Sequence, residues 1–465
     1  RNIMQRLWHA SGRNIMQSLR HASRCKAVKR AAGSASRICN LQYTYLYIMK
    51  KLIIIGGGFA GIQLARHLDR NHYEVLLIDK LNHHQFQPLF YQVATSQIEP
   101  SSISFPLRNI FRGKKGIQIR LAEVQQINTG QKTIQTDIGE FPYDELVIAT
   151  GCKTNFFGNK EIEKNAFTLK STYDAIAIRN HILHTFERAL SATEEEKKSL
   201  LNLVIVGAGP TGVELAGAFA EIKREALPKD YPGVDFSHFS IYLVEGSPNT
   251  LNAMSDNARS ASSAYLRSMG VHLITNTYVK SYDGRLAQLS NGDQIQTSTV
   301  IWAAGVTGNF INGLPAEIRT PSNRIIVDRR STVKGLEHVY AIGDIAYMET
   351  PRYPKGHPQV ANVAINMAKR LAKNLNAKVK GQALVDYEYK DLGSMATVGR
   401  NKAVVDLPFM KFKGYFAWLT WMFLHLMLIL SVRNKLIIFI NWAWAYITRD
   451  SSLRLILRST KPDEQ

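Results

Sequence analysis

The sequence predicts an α/β protein built from two Rossmann-like units in one chain, followed by a helical C-terminal segment. Three observations predict it. A β-branched apolar run, Lys51-Leu52-Ile53-Ile54-Ile55, enters Gly56, Gly58 and Gly61 in GxGxxG spacing, and helix-forming residues follow from Ile62. The same grammar returns where Leu203-Val204-Ile205-Val206 meets Gly207-Ala208-Gly209-Pro210-Thr211-Gly212 and continues into Val213-Glu214-Leu215-Ala216-Gly217. Beyond Pro408 the composition turns apolar and aromatic.

In the first motif, one glycine permits a tight turn, the next lets backbone approach a pyrophosphate, and the third lets helix pack on strand. Phe59 and Ala60 complete the turn, and free N–H groups at the helix start would face the phosphates. The next apolar run, Val75 to Ile78, ends in Asp79 and Lys80, where a carboxylate would accept from ribose hydroxyls. The second copy has Gly207, Gly209, Pro210, Thr211 and Gly212 in the turn, and Ser240 to Val244 ends in Glu245. Two such sites imply two dinucleotides, one held and one visiting.

The chain of 465 residues has room for two or three domains. It carries 58 basic against 37 acidic residues; residues 1–48 hold nine of the basic ones and no acid. The excess suits an anionic surface, yet no basic helix or aromatic-interleaved patch outside the tail supports nucleic-acid binding. Cys25, Cys39 and Cys152 stand in no CxxC or CxxxxC spacing, which disfavours a zinc site or a disulfide redox centre. The adjacent His83 and His84 point to opposite sides of an extended segment and read as pocket lining, so no metal site is expected.

Residues 1–48 stand apart. RNIMQ…HAS at 1–11 recurs at 13–23, and the stretch is rich in Arg and free of acids. It reads as a disordered or non-native extension ahead of Met49, with a mitochondrial transit peptide as the alternative. The expected divisions after it are 49–165, 166–305, 306–407 and 408–465.

Within the first unit, short strands alternate from Ile117 to Phe141, and a buried strand closes on Ala149-Thr150-Gly151, small residues able to sit against a nucleotide. Ser171 to Lys198 has a helical pattern. The second unit closes the same way, on Ala303-Ala304-Gly305. A further strand ends in Gly343-Asp344, with Asp344 placed to cap a helix expected to start near Gln359.

In the tail, Gly414 to Val432 runs 19 residues without a charge; after Arg433-Asn434-Lys435 come 12 more, Leu436 to Ile447. A bilayer core needs ~20 apolar residues in helix, so the first run is borderline and the second too short. Trp418, Trp421, Trp442, Trp444 and Tyr446 suit the headgroup level, and Lys411, Lys413, Arg433, Lys435, Arg449, Arg454 and Arg458 suit anionic lipid. The reading is a pair of in-plane helices attached to a soluble body that survives their removal. A buried dimerisation hairpin is the alternative.

Assembled, the chain from Met49 to about Ile456 resembles a type II NADH:quinone oxidoreductase, a single-subunit, non-proton-pumping relative of the flavin disulfide reductases. The resemblance rests on GGGFAG (56–61), QPLFYQVAT (87–95), IATG (148–151), GAGPTGVELAG (207–217), AAGV (303–306), AIGD (341–344), HPQVANVAINMA (357–368) and VGRNKAVVD (398–406). Its most specific part is the tail, AWLTWMFLHL, RNK and NWAWAY.

It implies FAD at the first motif, with Asp344 accepting from a ribityl hydroxyl, and NADH as substrate at the second. There the Glu245 carboxylate would repel the extra phosphate of NADPH. It implies catalytic roles for Glu214 near the flavin, Gln359 at the flavin and quinone pocket, and Lys402 beside that pocket. Many members read Thr-Ala-Gln where this chain has His357-Pro358-Gln359, which leaves the quinone head group open. The implied partners are membrane quinone and the lipid surface, with a homodimer through the C-terminal region left open. The implied location is peripheral, on the cytoplasmic face of a bacterial inner membrane, unless residues 1–48 direct the chain to mitochondria. The alternatives are a soluble NAD(P)H-dependent flavin reductase, a sulfide:quinone-type enzyme, which would need paired cysteines, and a non-enzymatic flavin-bound protein.

Overall fold

The structure, a computed structural model, describes residues 49–450 and 453–457. The expected extension at 1–48 lies outside the described residues. Strands β1 (Lys50–Ile55), β2 (Tyr73–Asp79), β3 (Ile117–Leu121) and β4 (Glu145–Ile148) form the first sheet, with helix α1 (Phe59–His67) after β1 and a short helix α2 (Phe90–Ala94) further on. The second contains β5 (Phe167–Thr168), β6 (Asn202–Val206), β7 (Ser240–Val244), β8 (Val271–Ile274) and β9 (Thr299–Trp302), with α3 (Thr172–Ala189) after β5 and α4 (Pro210–Glu225) after β6. The chain then returns to the first sheet as β10 (Val339–Ala341), followed by α5 (Ala361–Val379).

Both sheets are five-stranded and parallel, in the orders β10-β4-β1-β2-β3 and β5-β9-β6-β7-β8. Strands covered on both faces must be apolar throughout, which is why β1 reads Leu-Ile-Ile-Ile and why Leu52 to Ile54 are fully buried. The glycine turns sit at the carboxyl ends of β1 and β6, where open α/β sheets collect ligands. An antiparallel pair, Cys152–Thr154 with Val306–Gly308, carries the chain between the two sheets.

Beyond α5, a three-stranded antiparallel sheet, β11 (Ser394–Gly399), β12 (Lys402–Asp406) and β13 (Lys411–Lys413), leads into helices α6 (Tyr415–Leu428) and α7 (Val432–Thr448). A division at 408 therefore falls between two strands of one sheet. Arg433-Asn434-Lys435 form the first turn of α7 instead of the expected link; the link is Ile429-Leu430-Ser431. The reason is long-range: Asn434 is buried and its Nδ2 donates to the carbonyls of Ser102 at 2.9 Å and Ser101 at 3.2 Å, which fixes that turn against the body.

Nor is the tail separable. Trp421, Ile438 and Trp442 belong to the same buried cluster as Tyr91, Val213 and Phe219, so removal of 408–465 would open that core. The outer faces of both helices remain uncovered: Phe416, Phe423, Val432, Phe439, Ile440, Trp444 and Ile447 are exposed. Among the described residues no helix is long and apolar enough to cross a membrane. The charged stretch from Glu194 forms its own short helix, Glu194–Leu200, capped by Thr193, apart from α3.

Candidate active site

The two glycine turns are built alike. An added Cβ at Gly61 or Gly212 would fall inside the van der Waals shell of the carbonyl oxygen of Gly56 or Gly207, so only glycine lets the helix close onto its strand. At Gly58 and Gly209, by contrast, a Cβ would project into open space. These two residues cap α1 and α4 without any side-chain hydrogen bond, leaving first-turn N–H groups available to an anion. That is an open cradle of the kind a dinucleotide pyrophosphate needs. Pro210 opens α4, Thr211 is exposed beside it, and Ala303 and Ala304 back Gly207.

The strand-end acids repeat as well. Asp79 accepts from the amides of Gly57 at 2.5 Å and Leu81 at 2.7 Å; Glu245 accepts from those of Ala208 at 2.6 Å and Ser247 at 2.8 Å. Burial pushes the Asp79 carboxyl up, against the pull of those two amides. Each acid is thus tied to its own glycine turn. Lys80 is exposed beside the first.

Around the first turn, Gly56 lies against Ala149 and Thr150, the Thr150 hydroxyl donates to the Asn309 carbonyl at 2.8 Å, and the Gly151 carbonyl accepts from the Asn309 amide at 3.1 Å. Gly343 sits in left-handed backbone with Ala60 and Ala364 close by, so the first turn, the Gly-Asp turn and α5 converge. Gly305, at the matching place in the second unit, faces the Phe157 ring.

Asp344 caps no helix. Its carboxylate accepts from the Cys152 thiol at 3.1 Å, and burial first, then Asp344, pushes that thiol up to about 12. Helix α5 begins at Ala361, two residues after Gln359, with Val360 in extended backbone ahead of it, and the Gln359 side chain turns back and donates to the Asp344 carbonyl at 3.0 Å. His84 is buried against Phe59, its Nδ1 3.2 Å from the Gly57 carbonyl, and burial lowers it to about 4; a neutral ring there is wall. Among the described residues no three His, Cys, Asp or Glu groups could hold a metal.

Glu214 lies apart from these, in the first turns of α4, lining a cavity of about 120 Å³ between α4, β11 and the tail helices. Burial raises its carboxyl to about 8, partly offset by the Thr397 amide at 3.4 Å and the Trp421 indole. Gly217 places it: Val398 packs so closely on that position that a Cβ would overlap its carbonyl oxygen. Lys402 opens β12 and Gln359 precedes α5; neither lines the Glu214 cavity. The structure does not bring the three expected catalytic groups into one cluster.

Sequence reading missed the rest of the cavity. Glu221 and Glu225 share its wall with Glu214, a helical spacing visible on one face of α4. Glu221 accepts from the Arg400 amide, and the Arg400 guanidinium reaches Glu225 at 3.4 Å and the Ala445 carbonyl at 2.9 Å. From the tail, the Trp442 indole donates to Gln92 Oε1 at 2.8 Å, Gln92 Nε2 donates to the Tyr91 hydroxyl at 2.9 Å, and Trp421 stacks on His425 at 4.0 Å. Burial lowers His425 to about 4, so that stack is neutral. The QPLFYQ stretch, the second glycine helix and the tail meet at one cavity.

Two paired sheets with a glycine turn and acid at each carboxyl edge define a pyridine nucleotide-dependent flavoprotein oxidoreductase. The family model for pyridine nucleotide-disulphide oxidoreductases matches residues 50–368, and that for the NDH2 C-terminal domain matches 392–450. The chain is 32% identical over 418 residues to a type II NADH:quinone oxidoreductase, Ndh, of Mycobacterium tuberculosis, covering 86% of this chain and 88% of that one. It is 29% identical to an internal alternative NAD(P)H-ubiquinone oxidoreductase, mitochondrial, of Solanum tuberosum, covering 84% and 85%. The structure of NDH2 from Plasmodium falciparum in complex with NADH shares the fold at a TM-score of 0.80 and 23% identity, over 88% of this chain and all of that one.

The chain belongs to the type II NADH:quinone oxidoreductases. It is an FAD flavoprotein that uses NADH and passes the electrons to quinone, and it pumps no protons.

Proposed function

We propose that FAD is held at the first glycine turn by the amides around Gly58, with Asp79, Ala149 to Gly151, Gly343 and Asp344 lining its length, and that NADH visits the second turn, with Glu245 on the adenosine ribose. A bound flavin would accept hydride from the nicotinamide and hand two electrons to quinone. The net reaction, NADH plus quinone plus one proton to NAD⁺ plus quinol, draws a proton from water. Glu214 holds a proton at neutral pH because its site is desolvated, and it is the group placed to deliver one. Gln359, fixed on the Asp344 backbone, and Lys402, at the start of β12, would act on the acceptor from outside the Glu214 cavity.

The quinone reaches the site from a lipid surface on which α6 and α7 lie in the plane. The face of that membrane which carries the nucleotide sites is the one exposed to cytoplasmic NADH. The observation that carries this reading is the convergence of α4, the QPLFYQ segment and the tail on the Glu214 cavity, with an apolar outer face beside it.

The test replaces Phe416, Phe423, Phe439 and Ile440 by Ser. Stopped-flow reduction by NADH and reoxidation by a water-soluble quinone should stay near normal, while reoxidation by a long-tailed quinone in vesicles should fall at least about tenfold through lost partitioning. Undiminished turnover with vesicle quinone would overturn the docking face.

A further inference from the structure

A second cavity, of about 610 Å³, opens where the start of α7 meets the body, and it shares no lining residue with the Glu214 cavity. The body supplies Asn82, Phe105 and Asn109 to its lining; the tail supplies Leu430, Ser431 and Arg433. Asn434 ties the two sides together, because its bonds to the Ser101 and Ser102 carbonyls run from tail to body. The opening is therefore set before anything enters it.

No acid lines this cavity. Arg433 is exposed and forms no ion pair among the described residues, and Ser431 precedes α7 without a side-chain capping bond. The Asn109 side-chain amide is exposed and likewise unengaged among them. A guanidinium with hydroxyl and amide donors around it suits a phosphate group. Small-molecule sites usually hold ~300–1,000 Å³, so a glycerophosphate fits the space. The mouth runs into apolar surface: Leu430 lines the cavity, and Val432 and Leu436, one turn apart on α7, are exposed. Donors inside and an apolar strip at the rim match the two ends of a lipid, whereas a soluble phosphate compound would leave that strip in water.

We propose that this cavity seats the head of one anionic phospholipid, its phosphate on Arg433 and the Ser431 hydroxyl, its glycerol end toward Asn82 and Asn109, and its acyl chains over Val432 and Leu436. The inference rests on the reading that α6 and α7 lie on a bilayer, and it adds a discrete lipid seat to that face. The bound lipid bridges tail and body, so it fixes how the body stands on the membrane. It takes no part in hydride transfer.

The full-length flavoprotein is tested in two ways. Native mass spectrometry from detergent containing phosphatidylglycerol and phosphatidylcholine should show one phosphatidylglycerol retained per chain; Arg433→Gln, and Asn109→Trp, which fills the space without changing charge, should both lose it, while Lys411→Gln should keep it. In flotation with vesicles, Lys411→Gln should lose about fivefold in affinity for phosphatidylglycerol membranes, as any basic residue near an anionic surface does, and Asn109→Trp should also weaken that binding without altering binding to phosphatidylcholine. Reduction by NADH at the normal rate certifies that each variant is folded. Retention of phosphatidylglycerol by Asn109→Trp, or glycerol phosphate displacing the lipid at equal concentration, would overturn the seat while leaving the bilayer reading intact. Failure of the unmodified protein to float with either vesicle would overturn the bilayer reading itself, and the seat with it.

Discussion

Glu214→Gln separates a proton-bearing acid from a carboxylate that merely caps its helix. The glutamine keeps the shape and can still accept from the Thr397 amide, but it cannot ionise. In the native protein the Glu214 carboxyl sits at about 8, whereas in the unfolded chain it titrates near the ordinary 4.5. Between these values the folded state holds a proton that the unfolded state has released, so this group makes stability fall as pH rises. Below the unfolded value both states are protonated, and above the folded value both are ionised.

One unit of pH across that window is worth about 1.4 kcal/mol, so the unmodified protein should lose about 2 kcal/mol relative to Glu214→Gln between about pH 5.5 and about pH 7. Urea denaturation of both proteins with excess FAD, at matched ionic strength, reads the difference. In parallel, quinone reoxidation of the unmodified enzyme should decline above about pH 8, and the variant's slower rate should show no such inflection. A stability difference that does not change across the window would refute the argument, because it would mean that Glu214 is ionised in the folded protein.

Two further outcomes follow from the geometry. Glu245→Gln should raise the KM for NADH and narrow the preference over NADPH, as steady-state rates with the two nucleotides will show; equal use of both by the unmodified enzyme would contradict the role. Asn434→Ala should cost about 1–3 kcal/mol, since the Ser101 and Ser102 carbonyls lose their buried donor, and thermal unfolding will measure it.

What could be read in the sequence is what depends on near neighbours. Glycine spacing, the acids ending β2 and β7, and small residues after β4 and β9 are local requirements of a strand-turn-helix unit, so both units were legible down to the residue. The tail was legible in composition but not in placement. Its helix boundary was set by Asn434 reaching Ser102 across the chain, a contact that no periodicity encodes. The position of β11 against Gly217 was equally hidden, because a glycine inside a helix looks like a weak helix former until the strand crossing it is known. Lys402 and Gln359, chosen by resemblance, carried no physical signal of their own, and the folded chain leaves them outside the Glu214 cavity.

The bond from each strand-end acid back to its own glycine turn bears on redesign. Because Glu245 accepts from the Ala208 and Ser247 amides, one on each oxygen, it holds its own glycine turn together as well as facing the ribose with the lone pairs that remain. An engineer seeking an NADPH-dependent variant by exchanging that acid for a smaller or basic residue would loosen the phosphate cradle in the same stroke. Leaving Glu245 in place and introducing a cation at Gly246, where an added side chain meets open space, keeps the turn intact while offering the extra phosphate a counter-charge. The same economy holds for Asp79, so the two halves of the molecule resist nucleotide reassignment for one shared mechanical reason.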